Sequence, residues 1–234
     1  MTKKLNRREF VQSTAAGLAA ATARPVFAQA PSVIAPRSPR PVNISAANGN
    51  RAKNGGAVTC VQKAFTMMTA GADVLDALIA GVNIVELDPE DTSVGYGGLP
   101  NADGVVQLDS CCMHGPKKRA GGVAALEGVR TPSNVAQLVM DQTDHHLLVG
   151  RGAQDFARSM GFTIEADLNT EKSRSQWLEW KRRIDPEHYL DPKKRAEAWY
   201  QAGRQMVREG LIDPDHFWGT INCNGLNARA NCAA

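Results

Sequence analysis

The chain between residues 58 and 150 alternates two hydrophobic periodicities, and this alternation constrains its fold more than any other feature. Two segments repeat apolar residues every three or four positions, as one face of a helix does. They contain Val58, Val61, Phe65 and Met68, and then Val74, Leu78, Val82 and Val85. Short strand-like stretches follow at 105–109 and 121–129. Helices interspersed with short strands predict an α/β or α+β fold.

Local signals place further elements on both sides of this segment. Asp73 is suited to cap the second helix, as Thr131 is for a later helix that begins at a proline. The remaining predictions are a strand at 42–45, an Asn- and Gly-rich loop at 48–56, a strand or turn at 146–150, a helix at 153–160 and a helix opened by Asp191-Pro192. The polar segment 169–210 is predicted to be an exposed excursion from the core.

The first 28 residues have the composition of an export signal. A basic start containing Arg7-Arg8 precedes a modest apolar stretch and a small-residue cleavage site. This pattern predicts twin-arginine export to the periplasm or the medium. The apolar run is shorter than the roughly 20 residues that span a bilayer, so no membrane anchor is expected. Residues 29–41 hold four prolines and predict an extended linker.

Charge and ligand chemistry exclude several function classes. The net charge of +3 comes from the leader, so the rest of the chain has no basic excess that predicts a nucleic-acid partner. The stretch Cys111-Cys112-Met113-His114 lacks a second ligand pair at metal-binding spacing, and no metal or other cofactor is expected. The cysteines are interpreted as buried thiols. His145-His146 is interpreted as a helix end, and Gly95, Gly97 and Gly98 as a sharp turn beside the sheet.

Three longer motifs are together specific enough to indicate a family. They are GADVLDA, DPEDTSVGYGG and LLVGRGA, within residues 71–153. The region 42–225 resembles the glycosylasparaginases, N-terminal-nucleophile hydrolases related to isoaspartyl peptidases and plant-type asparaginases. The resemblance implies a partial αββα sandwich in which most β-chain strands are missing. Residues 42–219 correspond to the α-chain, and residues 220–234 to a truncated start of the β-chain.

The same resemblance locates the chemistry at WGTINC, residues 218–223. In the family a precursor cuts itself before a threonine, which implies scission between Gly219 and Thr220 and makes Thr220 the nucleophile. Ser93 matches a serine near that nucleophile and is expected to orient its amine. The chemistry is consistent, because a free α-amine has a pKa of about 7.7–8.0 and can take the hydroxyl proton.

The sequence departs from the family pattern in ways that bear on activity. ISAANGN, residues 44–50, lacks the tryptophan that the family places over the substrate. The junction is Trp-Gly-Thr, and only fourteen residues follow Thr220. The second oxyanion threonine and the substrate-binding arginine and aspartate are therefore expected further downstream. We expect this chain to be an incomplete, inactive fragment.

For the complete protein, the resemblance implies a homo-oligomer that hydrolyses N-acetylglucosaminyl-asparagine. Two alternatives stay open. One is a β-aspartyl (isoaspartyl) peptidase or asparaginase, and the other is a non-catalytic truncated product.

Overall fold

The structure, a computed structural model, describes residues 38–184, 192–214 and 219–234. The predicted signal, most of the linker and Asp191 lie outside the described residues. A six-stranded sheet has the order β1-β5-β6-β2-β3-β4 and is antiparallel except for the β3–β4 pair. Its strands are β1 (Val42–Ser45), β2 (Leu108–His114), β3 (Arg119–Leu126), β4 (Leu148–Val149), β5 (Cys223–Leu226) and β6 (Cys232–Ala233). This is the mixed α/β class that the sequence predicts.

Seven helices are present in the described residues. They are α1 (Ala47–Arg51), α2 (Cys60–Thr69), α3 (Val74–Glu86), α4 (Pro132–Gln142), α5 (Gly150–Ser159), α6 (Glu171–Ile184) and α7 (Pro192–Arg208). Helices α2 to α5 lie in the middle of the chain and contact the sheet or each other. Helices α6 and α7 pack against one another.

The caps of α2 and α3 explain where these helices begin. Thr59 and Gln62 exchange side-chain and backbone hydrogen bonds in a capping box at the start of α2. At α3 the Asp73 carboxylate accepts from the backbone N–H groups of Leu75 and Asp76, at 2.9 and 3.3 Å. The predicted Asp73 cap is confirmed.

The core fills the space between the helices and one face of the sheet. Its largest fully buried side chains on these elements are Val74, Leu75, Leu78, Val85, Val123, Leu126, Val135, Val139 and Met140. Gly121 in β3 allows α4 to approach closely, since a Cβ there would overlap the carbonyl oxygen of Ala136. Small residues at this contact therefore fix how near the helix lies to the sheet.

The opposite face of the sheet is uncovered in the described residues. Val42, Ile44 and Met113 are 43%, 63% and 58% exposed although all three are apolar strand residues. An exposed apolar sheet face is what the resemblance to one half of a sandwich predicts.

Two strand and loop predictions need correction. The Asn- and Gly-rich segment is not all loop, because its first residues form the short helix α1. The strand predicted at 105–109 begins at Leu108 and continues to His114. Buried and exposed positions alternate in this strand because of its geometry. The residue types do not alternate between apolar and polar, so the sequence pattern did not reveal the strand.

Two helix predictions also need correction. Thr131 precedes α4 but makes no side-chain cap hydrogen bond. Of the two predicted start signals, only the proline at the first helical position is therefore present. The polar segment is not simply an exposed excursion, because α6 and α7 bury Ile184 and Met206, which are 1% and 0% exposed. No helix of the described residues is long and apolar enough to span a bilayer.

Candidate active site

Thr220 lies where strand β5 enters the sheet beside β1 and α1. The β1–β5 ladder pairs Ser45 with Cys223, and the backbone N–H of Ala46 donates to the Asn222 carbonyl at 3.0 Å. The Ser45 hydroxyl donates to the same carbonyl at 2.7 Å. These bonds hold the residues after Thr220 against the start of α1. The site therefore depends on a strand pairing between the two ends of the described chain.

Asn48 links Thr220 to Ser93. Its side-chain amide donates to the Ser93 hydroxyl oxygen at 3.0 Å and to the Thr220 carbonyl oxygen at 3.3 Å. Asn48 lies in α1 and is only 4% exposed. An amide with two donors is suited to bridge two acceptors in a buried position. The structure thus brings the two residues of the predicted site together through a third.

Asp91 fixes the orientation of Ser93. Its Oδ1 accepts from the Ser93 backbone N–H at 2.7 Å and from the Ser93 hydroxyl. With its proton directed to the carboxylate, the hydroxyl has its lone pairs available to Asn48. Asp91 is 3% exposed, so this orientation is set in a water-poor environment.

Gly219 and Thr220 form a close junction against Ser93. Gly219 has φ +30°, in the region that favours glycine, and a Cβ there would lie 3.2 Å from the Ser93 carbonyl oxygen. The Thr220 hydroxyl donates to the Gly219 carbonyl oxygen at 2.7 Å. The Thr220 hydroxyl therefore lies beside the peptide carbonyl that precedes it, in a backbone conformation that favours glycine at position 219.

The glycine-rich loop after Ser93 is anchored to the end of α3. The Tyr96 backbone N–H donates to the Glu86 carbonyl at 2.7 Å, and a Cβ at Gly95 would overlap that carbonyl. Gly95 has φ +60° and Gly97 has φ +86°. The prediction of a sharp turn beside the sheet is confirmed. Glycine is needed here both for the backbone conformation and for the close approach.

Glu86 also carries a buried carboxyl group behind this loop. Burial raises its pKa to about 7, although hydrogen bonds from Ser133 and Asn83 act in the opposite direction. The Ser133 hydroxyl and the Asn83 amide each donate to Oε2 at 2.7 Å. This carboxyl group is therefore protonated or ionised depending on pH near neutrality.

An ion pair supports the same loop from the other side. The Arg130 guanidinium lies 3.7 Å from the centroid of the Tyr96 ring and bonds both carboxylate oxygens of Glu165, at 2.6 and 2.7 Å. The hydrogen bonds from Arg130 hold the Glu165 pKa below its usual range. Planar bidentate pairing of this kind fixes the orientation of the guanidinium over the ring.

The other sequence candidates lie away from this network. His145 and His146 are exposed in the connection between α4 and β4. They were interpreted as a helix end, and α4 ends shortly before them, at Gln142. His114 is buried at the end of β2, where its Nε2 lies 2.9 Å from Asp73. In the part of the chain described, no group of three or more His, Cys, Asp or Glu side chains is arranged to hold a metal ion.

The cysteine prediction holds for only part of the set. Cys60, Cys112 and Cys223 are buried, but Cys111 and Cys232 are exposed. Cys111 and Cys112 are adjacent in a strand, so their side chains point to opposite faces, and only one of them can face the helices. The interpretation as buried thiols is therefore right for Cys60, Cys112 and Cys223 and wrong for Cys111 and Cys232.

Sequence reasoning missed Asn48 and Asp91. Asn48 lies in the Asn- and Gly-rich stretch interpreted as a loop, where an asparagine is usually explained by turn formation. Asp91 lies two residues before Ser93, and this Asp-x-Ser spacing is a local signal for a carboxylate that bonds the serine N–H. No comparable signal marks the pairing of Asn48 with residues far along the chain.

The sheet with helices on one face, and β5 leading in from Thr220, is a partial N-terminal-nucleophile hydrolase fold of the α+β class. The chain belongs to the asparaginase family, whose model matches residues 40–234.

Three relatives indicate the range of this family. The chain is 37% identical to an N(4)-(β-N-acetylglucosaminyl)-L-asparaginase of Elizabethkingia miricola, over 76% of this chain and 51% of the relative. It is 44% identical to a plant-type L-asparaginase of Pyrococcus abyssi, over 47% of this chain and 35% of the relative. It is 36% identical to an isoaspartyl peptidase/L-asparaginase of Rattus norvegicus, over 51% of this chain and 36% of the relative. The chain thus spans about half the length of the first relative.

Proposed function

We propose that this chain carries the nucleophile of an amidohydrolase that acts on the side-chain amide of asparagine derivatives. Thr220 is the nucleophile, and it is activated by scission of the Gly219–Thr220 bond. The observation that carries the proposal is the Thr220 hydroxyl, which lies 2.7 Å from the Gly219 carbonyl oxygen, while Asn48 links the Thr220 backbone carbonyl to Ser93.

The scission follows from the chemistry of that junction. The Thr220 oxygen attacks the carbonyl carbon of Gly219, the peptide C–N bond breaks, and the hydroxyl proton passes to the departing nitrogen. The acyl group is then an ester on Thr220, and water hydrolyses this ester to leave a Gly219 carboxylate and a free Thr220 amine. Glycine at position 219 favours the step, because a residue without a side chain leaves its carbonyl group open to the attacking oxygen.

Turnover uses the amine that scission exposes. The neutral amine takes the proton of the Thr220 hydroxyl, whose oxygen attacks the side-chain amide carbon of the substrate. The amide nitrogen leaves with a proton, and a β-aspartyl ester remains on Thr220. Water then hydrolyses the ester and restores the hydroxyl. The scheme uses no metal or other cofactor.

Asn48 and Ser93 act as positioning residues in this scheme. The Asn48 amide fixes the Thr220 carbonyl, and Ser93 fixes Asn48 through a hydroxyl that Asp91 orients. Since each link is a hydrogen bond in a mostly buried setting, small displacements of the threonine are resisted.

Glycosylated asparagine is the substrate we propose first, because the relative matched over the largest share of this chain among the three is named for it. Asparagine is the second candidate, since the Pyrococcus abyssi relative has a higher identity over its shorter match. A β-aspartyl dipeptide is the third candidate. In all three compounds the bond to be hydrolysed joins a nitrogen atom to the side-chain carbonyl carbon of an aspartyl group.

The experiment is a fusion in which the chain is followed by the portion of the Elizabethkingia relative that lies beyond the matched region. Purified fusion is assayed for release of aspartate from the three substrates. We expect glycosylated asparagine to be hydrolysed fastest, Thr220→Ser to retain part of the activity, and Thr220→Ala to have none. Equal activity in the Thr220→Ala fusion contradicts the proposal.

We also propose export through the twin-arginine route, supported by the Arg7-Arg8 motif and the apolar stretch that follows it. Fractionation of a bacterium expressing the chain with Arg7-Arg8 intact or changed to Lys-Lys tests this. The intact form is expected outside the cytoplasm, and equal retention of both forms contradicts export. Homo-oligomer formation stays a prediction for the complete protein.

A further inference from the structure

Two cysteines from opposite ends of the described chain meet in the core. Cys60 is the first residue of α2 and Cys223 the first residue of β5, and their sulfur atoms are 3.8 Å apart. The two residues are 0% and 7% exposed. A disulfide needs a sulfur separation of about 2.05 Å, so rotation about the two Cα–Cβ bonds has to close a gap of less than 2 Å.

The surroundings hold both sulfur atoms in this contact. Cys223 is fixed by its register opposite Ser45 in β1, and its Sγ lies 3.3 Å from the Asn43 side-chain oxygen. The Cys60 sulfur packs against α3 at Gly81, where a Cβ would lie 3.2 Å from it. The absence of a side chain at Gly81 therefore leaves the space in which the Cys60 sulfur sits.

The two thiols differ in acidity in the way that exchange chemistry requires. The hydrogen bond from the Cys60 thiol lowers the Cys223 pKa, and the same hydrogen bond, with burial, raises the Cys60 pKa. Cys223 is thus the sulfur with more thiolate character, and the thiolate is the attacking species in thiol–disulfide exchange.

We propose that Cys60 and Cys223 form a disulfide when the protein folds in the presence of a small-molecule disulfide. The Cys223 thiolate attacks one sulfur of oxidised glutathione and expels a glutathione thiolate. Cys60 then loses its proton to solvent and attacks the Cys223 sulfur, which expels the second glutathione. Two protein thiols are oxidised, and one glutathione disulfide is reduced to two thiols. Because both cysteines are buried in the folded chain, the exchange takes place as β5 docks, when the two thiols are in contact with each other and glutathione still reaches them.

The disulfide connects the two sides of the Gly219–Thr220 bond. Cys60 lies on the N-terminal side of this bond, and Cys223 lies three residues after Thr220. After scission the strand that carries Thr220 would otherwise be held by hydrogen bonds and packing alone. With the disulfide, Thr220 stays tied to α2 and remains beside Asn48.

The test is a peptide map of the 234-residue chain refolded in a mixture of oxidised and reduced glutathione. Free thiols are alkylated, and the protein is digested with trypsin without reduction. Cleavage at lysine and arginine places Cys60 in peptide 54–63 and Cys223 in peptide 209–229. We expect one linked species that contains both peptides and that separates when a reductant is added. Recovery of both peptides singly and alkylated, from protein with native circular dichroism, overturns the proposal.

Three controls make the result specific. Cys111→Ser changes an exposed cysteine and is expected to keep the link, whereas Cys60→Ser is expected to lose it. A link from Cys223 to any other cysteine in the wild-type map also overturns the proposal, and this readout needs no variant to fold. Scission is read separately on the same map, because a cut chain shows a linked peptide that begins at residue 220.

Discussion

The buried carboxyl group of Glu86 makes the stability of this fold depend on pH in a direction opposite to that of most acidic residues. Burial raises its pKa from 4.5 to about 7. The folded chain binds this proton more tightly than the unfolded chain, so the contribution of Glu86 to stability is fully present below pH 4.5 and is lost as the pH rises through 7. At about 1.4 kcal/mol per unit, the loss across this window is about 3 kcal/mol.

The variant Glu86→Gln isolates this effect because glutamine resembles the protonated acid. Its amide oxygen can accept the Ser133 hydroxyl and Asn83 hydrogen bonds that Oε2 accepts now, but its NH2 group faces the Ser133 N–H. We therefore expect a constant cost of about 1 kcal/mol for the lost hydrogen bond. The free energy of unfolding of the variant should also rise relative to that of wild type, by an amount that grows to about 3 kcal/mol between pH 4.5 and 8.

Urea unfolding followed by circular dichroism at several pH values measures both proteins under the same conditions. The difference between them cancels the titration of every other group that behaves alike in both. Free energies of unfolding that run parallel from pH 4.5 to 8 would refute the reasoning.

Three further predictions concern the elements around the site. In the fusion, Asn48→Ala should slow scission about fivefold to 150-fold, because a buried hydrogen-bonding amide is worth about 1–3 kcal/mol. Gln201→Ala on the exposed surface of α7 should leave the rate unchanged, and the appearance of fragments with time measures both variants. Arg130→Lys loses the bidentate pair with Glu165 and the contact with the Tyr96 ring. Because the pair is partly exposed, urea unfolding should show that the free energy of unfolding falls by only about 1 kcal/mol, and an unchanged midpoint contradicts this. The Cys60–Cys223 disulfide should raise the free energy of unfolding by about 2–5 kcal/mol over the reduced form, and equal urea midpoints contradict it.

Local patterns predicted the elements whose signals are local. The helices α2 and α3 follow from apolar periodicity, and the cap of α3 follows from an aspartate directly before it. The short strand near residue 148 and the partner strand β3 are also predicted, with boundary errors of a few residues. Strand β2 was placed too early because its central residues are Ser, Cys and Met, whose types do not alternate in polarity.

The long-range features were not predictable from patterns. The contact of Asn48 with Thr220 and that of Cys60 with Cys223 join residues more than 160 positions apart, and both depend on β5 pairing with β1. Strand register is set by the packing of the whole sheet, and no local signal specifies it across such a separation. The resemblance predicted Thr220 and Ser93 as site residues, and the structure adds the groups that connect them.

Intact-mass analysis of the purified fusion, with N-terminal sequencing of the smaller product, tests the central claim most directly. The account predicts that wild-type fusion separates into a fragment ending at Gly219 and a fragment beginning Thr-Ile-Asn, and that Thr220→Ala stays as one chain. A wild-type fusion that folds but stays uncut, or a Thr220→Ala fusion that is cut at the same bond, would contradict it.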